Sequence, residues 1–228
     1  MKRTYLRGYV DLSDQVQAVS EVVAMGTYLH VPDNSRFASQ RELARQPVTR
    51  SAVFLDRDGV IVEDVHFLKK PAQLRILPDA AQALRILQDY FYIIVVTNQS
   101  GVARGLLTED DLMAIHLELV QRLAVEGAVL DALYYCPHLP EATVKVYEVE
   151  CSCRKPKPGM LLQAKRDWDL DMAHSFMVGD APRDIEAGRA AGVKCILLND
   201  RSATLPGTYG LAPDLSRAVH LILAQGGS

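Results

Sequence analysis

The chain has 228 residues, 49% of them apolar and 23% charged, and its 25 basic against 28 acidic side chains leave a net charge of −3. That balance suits one sizeable globular core with room for an appendage and argues against bulk nucleic-acid binding. No apolar run approaches the roughly 18–20 residues of a membrane span, the N-terminal MKRTYLRGYVDLSDQ lacks the apolar stretch of a secretory signal, and four cysteines do not make a disulfide scaffold, so a reducing cytoplasmic setting is expected.

Residues 1–50 differ from the rest of the chain. Leu12, Val16, Val19 and Val23 recur at helical spacing between a cap at Asp11 or Ser13 and a stop at Gly26, which predicts one helix. The polar stretch 31–50 reads as a linker, so residues 1–50 are an extension and 51–228 the main domain. From Ser51 the pattern is regular. SAVFLD, FYIIVVTNQS, ALYYCPH, SFMVGD and KCILLND are short apolar runs that predict buried strands. Between and after them, PDAAQALRILQDY, TEDDLMAIHLELVQRLAVEG, KPGMLLQAKRDW and PRDIEAGRAAG predict helices. Thr108 caps the second of these, and Pro158 and Gly159 open the third. Strand and helix alternate, which implies an α/β fold with a mostly parallel sheet and helices on both faces.

In such a sheet ligands sit at the carboxyl ends of the strands. The first strand ends in Asp56-Arg57-Asp58-Gly59, the second in Thr97-Asn98-Gln99-Ser100-Gly101, and the fourth in Gly179-Asp180 with Asp184 one turn on. Two aspartates one residue apart in extended backbone point the same way and repel unless a cation intervenes. An oxygen-rich site of this kind suits Mg²⁺. Lys155 and Thr97 offer the charge and hydrogen bonds that a phosphoryl group needs, and a carboxylate nucleophile can split hydrolysis into two easier steps.

FLDRDGVI, VVTNQSG, RKPKPGM and MVGDAPRD, in this order, resemble the four motifs of the haloacid dehalogenase-like phosphatases over roughly residues 51–200. TNQSGVARG, YYCPH and CSCRKPKPGML are similar to the wording of the heptose-bisphosphate phosphatase group of that family, with the histidinol-phosphate phosphatases as close relatives. The resemblance implies a Rossmann-like three-layer α/β/α sandwich without a large cap domain, because the link between the first two strands is short and reads as helical. It implies Asp56 as nucleophile, Asp58 as general acid and base, and Thr97 and Lys155 as holders of the transferring phosphoryl group. Mg²⁺ would be bound by Asp56, the backbone carbonyl of Asp58 and Asp180, with Asp184 orienting that shell. Asn98, Gln99, Ser100 and Arg154 would face the substrate's hydroxyls and second phosphate. The implied substrate is D-glycero-D-manno-heptose 1,7-bisphosphate losing its 7-phosphate, with histidinol phosphate as the alternative. Two positions depart from the family pattern: Val62 replaces a usual polar residue, and Ala181 stands where a lysine is common.

The same resemblance makes Cys136, His138, Cys151 and Cys153 zinc ligands. Three thiolates and an imidazole form a closed tetrahedral set, which is structural rather than catalytic. The insert Leu139–Glu150 would be a loop closed by the metal, and its length is the longer form that favours the heptose substrate. Zinc would fix Cys153 and thereby Arg154 and Lys155, which come directly after it. Cys195 reads as a buried core residue, His30, His116, His174 and His220 as surface or packing residues, and Tyr134 and Tyr135 as packing on the sheet. The expected partner is a small sugar phosphate rather than nucleic acid or membrane, and a monomer is expected. A phospho-accepting signalling domain is a different class of reading, which Asp58 opposes; a non-catalytic zinc module is another.

Overall fold

The computed structural model describes residues 28–30, 51–198 and 206–224. The helix expected over residues 11–26 and the linker over 31–50 lie outside these residues. In chain order the elements are β1 (Tyr28–His30), β2 (Ala52–Leu55), α1 (Ala80–Leu87), β3 (Tyr92–Asn98), α2 (Glu109–Val125), β4 (Ala132–Cys136), α3 (Gly159–Trp168), β5 (Phe176–Gly179), α4 (Pro182–Ala191), β6 (Lys194–Leu198), β7 (Gly210–Ala212) and α5 (Leu215–Leu223). Single 3₁₀ turns occupy Pro71–Gln73, Lys145–Tyr147 and Met172–His174.

The strands form one sheet in the order β1-β4-β3-β2-β5-β6-β7. The six strands from β4 to β7 run parallel, and β1 joins the edge antiparallel to β4. Side chains alternate between two cores, as the two-residue strand period requires. Val53, Leu55, Ile93, Val95, Leu133 and Tyr135 meet α1, α2 and α5 on one face. Phe54, Ile94, Val96, Tyr134, Met177 and Leu197 meet α3 and α4 on the other. The result is the expected three-layer sandwich.

Local chemistry places the helix starts. Thr108 Oγ1 accepts from Asp111 N at 3.1 Å while Asp111 Oδ2 accepts from Thr108 N at 2.9 Å, a reciprocal cap at the start of α2. Two strands escaped the sequence pattern: β1 lies within the presumed extension, and β7 is three residues long. The link from β2 to α1 is also less helical than expected. Residues 56–79 are mostly irregular, pinned by bridges of Val62 with Asp58 and with Ile76. No separate cap domain is inserted there.

β2 lies between β3 and β5, and the chain reverses its direction of travel across the sheet on either side of it. The carboxyl end of β2 is therefore the crevice where open α/β sheets hold ligands.

Candidate active site

Asp56 follows the last residue of β2 and is nearly buried. Its Oδ1 accepts from the Arg57 amide at 2.7 Å, and its Oδ2 lies 2.9 Å from Lys155 Nζ. Lys155 is fully buried and also reaches Asp184 Oδ1 at 2.7 Å and the Val96 carbonyl at 2.8 Å. Burial works to lower its pKa, but the charges of Asp56 and Asp184 outweigh that and raise it, so the ammonium is the stable form. Asp184 sits in the first turn of α4, where Oδ2 accepts from the Ala181 amide at 3.1 Å. Ala181 thus contributes backbone to the site where a lysine would contribute charge.

Asp180 follows β5. Gly59 is what lets the β2 turn approach it. Gly59 has φ +76°, and a Cβ there would stand 2.2 Å from Asp180 Oδ2. One carboxylate oxygen from each of Asp56, Asp180 and Asp184 falls within 4.8 Å of the others. Asp180 Oδ1 is buried with no hydrogen-bond partner among the described residues. Burial, and then the charges of Asp56 and Asp184, push the Asp180 acid up to about 6. The positive charges at hand are Lys155 and, 3.9 Å from Asp56, Arg183. An unpartnered oxygen in an excess of negative charge fits a hard divalent cation. Asp184 is already engaged by Lys155 and a backbone amide, which leaves Asp56 and Asp180 as the freer ligands.

Asp58 is held from two sides. Arg57 grips it through Nε (3.1 Å to Oδ1) and Nη2 (2.9 Å to Oδ2), and Gln99 Nε2 donates to Oδ2 at 2.8 Å. The same Gln99 nitrogen reaches Thr97 Oγ1 at 2.9 Å, so the two motifs are tied together. Asn98 clamps the Lys155 backbone, donating to its carbonyl and accepting from its amide, both at 3.0 Å. The Lys155–Pro156 peptide is cis. Asn98 and Gln99, expected to face substrate, here engage Lys155 and the Asp58–Thr97 pair respectively. Ser100 is partly buried in the following loop, and Arg154 Nη1 donates to the His138 carbonyl at 3.2 Å. Val62 is buried in the core.

Cys136, at the end of β4, meets His138, Cys151 and Cys153 in a second cluster. Cys136 Sγ lies 3.6 Å from Cys151 Sγ and 3.1 Å from Cys153 Sγ, while His138 Nδ1 lies 3.7 and 3.3 Å from the Cys136 and Cys153 sulfurs. Tetrahedral zinc bond lengths imply edges of about 3.8 Å between sulfurs and about 3.6 Å between sulfur and nitrogen. The cluster is close to that size, and all four cysteines of the chain are free thiols. The hydrogen bond from Cys136 chiefly, helped by Cys151 and His138, pulls Cys153 down to about 5, whereas that bond and burial push the Cys136 thiol up. The insert beyond lies against the loop after β3, with Val144 N donating to Ala103 O at 2.9 Å, and Tyr147 OH donating to Glu109 at 2.8 Å.

A HAD-hydrolase-like family model matches residues 152–206. The D-glycero-beta-D-manno-heptose-1,7-bisphosphate 7-phosphatase of Rhodopseudomonas palustris is 45% identical over 145 residues, 63% of this chain and 81% of that protein. The alpha-named counterpart of Burkholderia mallei is 43% identical over 165 residues, covering 71% and 86%. The chain belongs to the haloacid dehalogenase-like phosphatases, in the heptose-bisphosphate 7-phosphatase family. A crystal structure of D,D-heptose 1,7-bisphosphate phosphatase from B. bronchiseptica, complexed with magnesium and phosphate, superimposes on this phosphatase with a TM-score of 0.68 at 35% identity, covering 77% of this chain and 99% of that one.

Two residues of this phosphatase escaped the sequence reading. Arg57 is 1% exposed, although it stands between two acidic residues whose charges would suit a surface. His116, read as surface or packing, is fully buried on α2 and hydrogen-bonded to Arg57 at 3.1 Å. An arginine at the end of a buried strand needs acceptors from elsewhere in the fold, and that need was the available signal.

Proposed function

We propose that this phosphatase removes the 7-phosphate of D-glycero-D-manno-heptose 1,7-bisphosphate, on the way to nucleotide-activated heptose for lipopolysaccharide. The observation that carries the reading is the convergence of Asp56, Asp58, Thr97, Lys155 and Asp180 on one rim, in a chain whose relatives bear that name. Residues 51–228 are the phosphatase domain and 1–50 an extension of it. A cytoplasmic location, where thiols stay reduced and available to a metal, belongs to the same reading.

The steps follow from the donors and acceptors. A carboxylate oxygen of Asp56 attacks phosphorus. Its bond to phosphorus forms as the bond to the sugar oxygen breaks, and Asp58 gives that oxygen its proton. Asp58 then takes a proton from a water whose oxygen attacks the aspartyl-phosphate. The Asp56–phosphorus bond breaks, inorganic phosphate leaves, and both side chains are restored. The Lys155 ammonium and the Thr97 hydroxyl hold phosphoryl oxygens, while Asp184 keeps Lys155 in place. Mg²⁺, held by Asp56, the Asp58 carbonyl and Asp180, would neutralise charge on the phosphoryl oxygens. Zinc on Cys136, His138, Cys151 and Cys153 would stiffen the segment that carries Arg154 and Lys155. Ser100 and Arg154 remain the residues best placed to meet the rest of the sugar phosphate.

The deciding test is phosphate release with Mg²⁺ from both anomers of heptose 1,7-bisphosphate and from histidinol phosphate at matched concentrations. A kcat/KM advantage of about a hundredfold for a heptose, about 2.7 kcal/mol of discrimination, is expected. Preference for histidinol phosphate would replace this reading with the alternative.

Magnesium binding should depend on pH in a definite direction. The Asp180 acid lies above its usual range, so the folded chain holds that proton more tightly than the unfolded one. Its contribution to stability is full below the unfolded value near 3.8 and is lost as pH rises through about 6. Mg²⁺ must displace the same proton. Its affinity, measured by calorimetry with the metal alone, should fall about tenfold from about pH 7 to about pH 5. Equal affinity at both would contradict a carboxylate shared between proton and metal.

A further inference from the structure

We propose that His116 is a positioning residue for phosphoryl transfer, holding Arg57 so that its guanidinium keeps Asp58 aimed at the leaving oxygen. The proposal rests on the acid–base role given to Asp58. Arg57 spends its donors in three directions: Nε and Nη2 on Asp58, Nη2 also on Gln99 Oε1 at 2.9 Å, and Nη1 on His116 Nε2 at 3.1 Å. Gln99 in turn donates to Asp58 and Thr97. Asp58 is thus the one partly open member of a network whose other end is buried under α2.

The direction of the hydrogen bond fixes the state of the ring. Guanidinium nitrogen can only donate, so Nε2 must accept and the ring proton must sit on Nδ1. Burial first, and then the charge of Arg57, hold the imidazole well below its ordinary range, which keeps it neutral and able to accept. Other charges near this network belong to Asp56 on the same strand end, Lys155 ahead of α3, and Asp180, Arg183 and Asp184 at the β5–α4 junction.

Packing alone does not call for a histidine here. His116 lies beside the apolar face of α2 formed by Leu112, Ile115, Leu119 and Leu123, and its ring leans on Tyr135 with centroids 5.5 Å apart. Its Nδ1 is buried without a partner among the described residues. A buried unpaired polar atom gives up its hydration with nothing in return, so an apolar side chain would serve the core better. What a leucine cannot do is accept from Arg57. A loosened Arg57 leaves the Asp58 carboxyl held on one oxygen by Gln99 alone, and displacement of a reacting group by about 1 Å can cost up to about 10²-fold in rate.

The test compares His116→Leu with His116→Gln, whose amide oxygen can still accept. In His116→Leu, kcat should fall about tenfold or more while KM stays within about threefold; His116→Gln should recover most of the loss. Nitrogen NMR of the wild-type ring should show a bare Nε2 and a protonated Nδ1, unchanged between about pH 5 and 8. This readout stands whether or not His116→Leu folds. Wild-type kcat in His116→Leu, equal damage in both variants, or a ring that becomes imidazolium in that range would each overturn the proposal. Asp58→Ala measured alongside separates the two ideas. Wild-type turnover there would remove the acid–base reading and the proposal with it, whereas loss there with intact His116→Leu would remove the proposal alone.

Discussion

Asp56→Asn is expected to lower kcat by at least about 10⁴-fold while the protein stays folded. The amide is a far poorer nucleophile than the carboxylate, and the neighbouring carboxylates are committed elsewhere, Asp58 to Arg57 and Gln99 and Asp184 to Lys155. The fold should tolerate the change because the site is over-supplied with negative charge. Lys155 keeps Asp184 at 2.7 Å and the Val96 carbonyl at 2.8 Å, and the single amide oxygen can still accept from one of the two donors, Lys155 or the Arg57 amide, that Asp56 meets through separate oxygens. Removing the Asp56 charge also relieves Asp180, whose acid that charge helps to raise. The metal-free variant should therefore melt within a few degrees of wild type. Asp58→Ala gives the complementary result. With p-nitrophenyl phosphate, whose leaving group needs no acid, it should release about one nitrophenolate per site and then stall, because the water step lacks its base. Asp56→Asn should give neither burst nor steady state. More than about 1% residual turnover in Asp56→Asn, with deamidation back to aspartate excluded by mass, would remove Asp56 from the nucleophile role.

What the sequence shows and what it hides divide along the range of the interactions. The parallel strands with long apolar runs were legible because burial on both faces leaves a continuous run such as Ile93–Val96. β7 and β1 were not: each is three residues long, and each exists because a neighbouring strand edge offers it a partner. The motif aspartates were legible because strand ends converge by rule. The uses of Asn98 and Gln99 were not. Read locally, both amides look free to meet substrate, but Asn98 ties residues 57 positions apart and Gln99 joins two motifs across the sheet. His116 lies 59 positions from Arg57, and helical periodicity treats it as one more core position next to Ile115. Polar networks of this kind emerge from the accounting of buried donors and acceptors, which needs the assembled fold.

The loss expected from Cys153→Ala turns on how the segment after it is held. Its sulfur is the point where Cys136 and His138 both come within hydrogen-bonding range, at 3.1 and 3.3 Å. Two residues on, Lys155 is gripped through its backbone by Asn98 and through its ammonium by Asp56 and Asp184. Between the two anchors lies Arg154, tied to the His138 carbonyl. The chain then turns tightly: Gly159 N donates to Ser152 O at 3.0 Å, and a Cβ on Gly159 would stand 2.3 Å from that oxygen. A metal on the four ligands would lock the front of this turn. With the Cys153 sulfur gone, three ligands remain and the closed tetrahedral set is broken, so zinc measured by elemental analysis should fall well below one equivalent. The Asn98 clamp should keep Lys155 near its place, but Arg154 and the insert from Leu139 to Glu150 lose their base. The expected cost is about 10²-fold in kcat/KM, felt more strongly with the sugar bisphosphate than with p-nitrophenyl phosphate, because in the proposed reading the remote phosphate would meet Arg154 and the loop, and the reacting one Lys155. Chelation separates the two metals. Brief EDTA treatment should silence the enzyme, and Mg²⁺ should restore it wherever the zinc assay shows zinc retained. A variant verified to be free of zinc yet turning over the sugar bisphosphate at the wild-type rate would detach the cysteine cluster from the active site altogether.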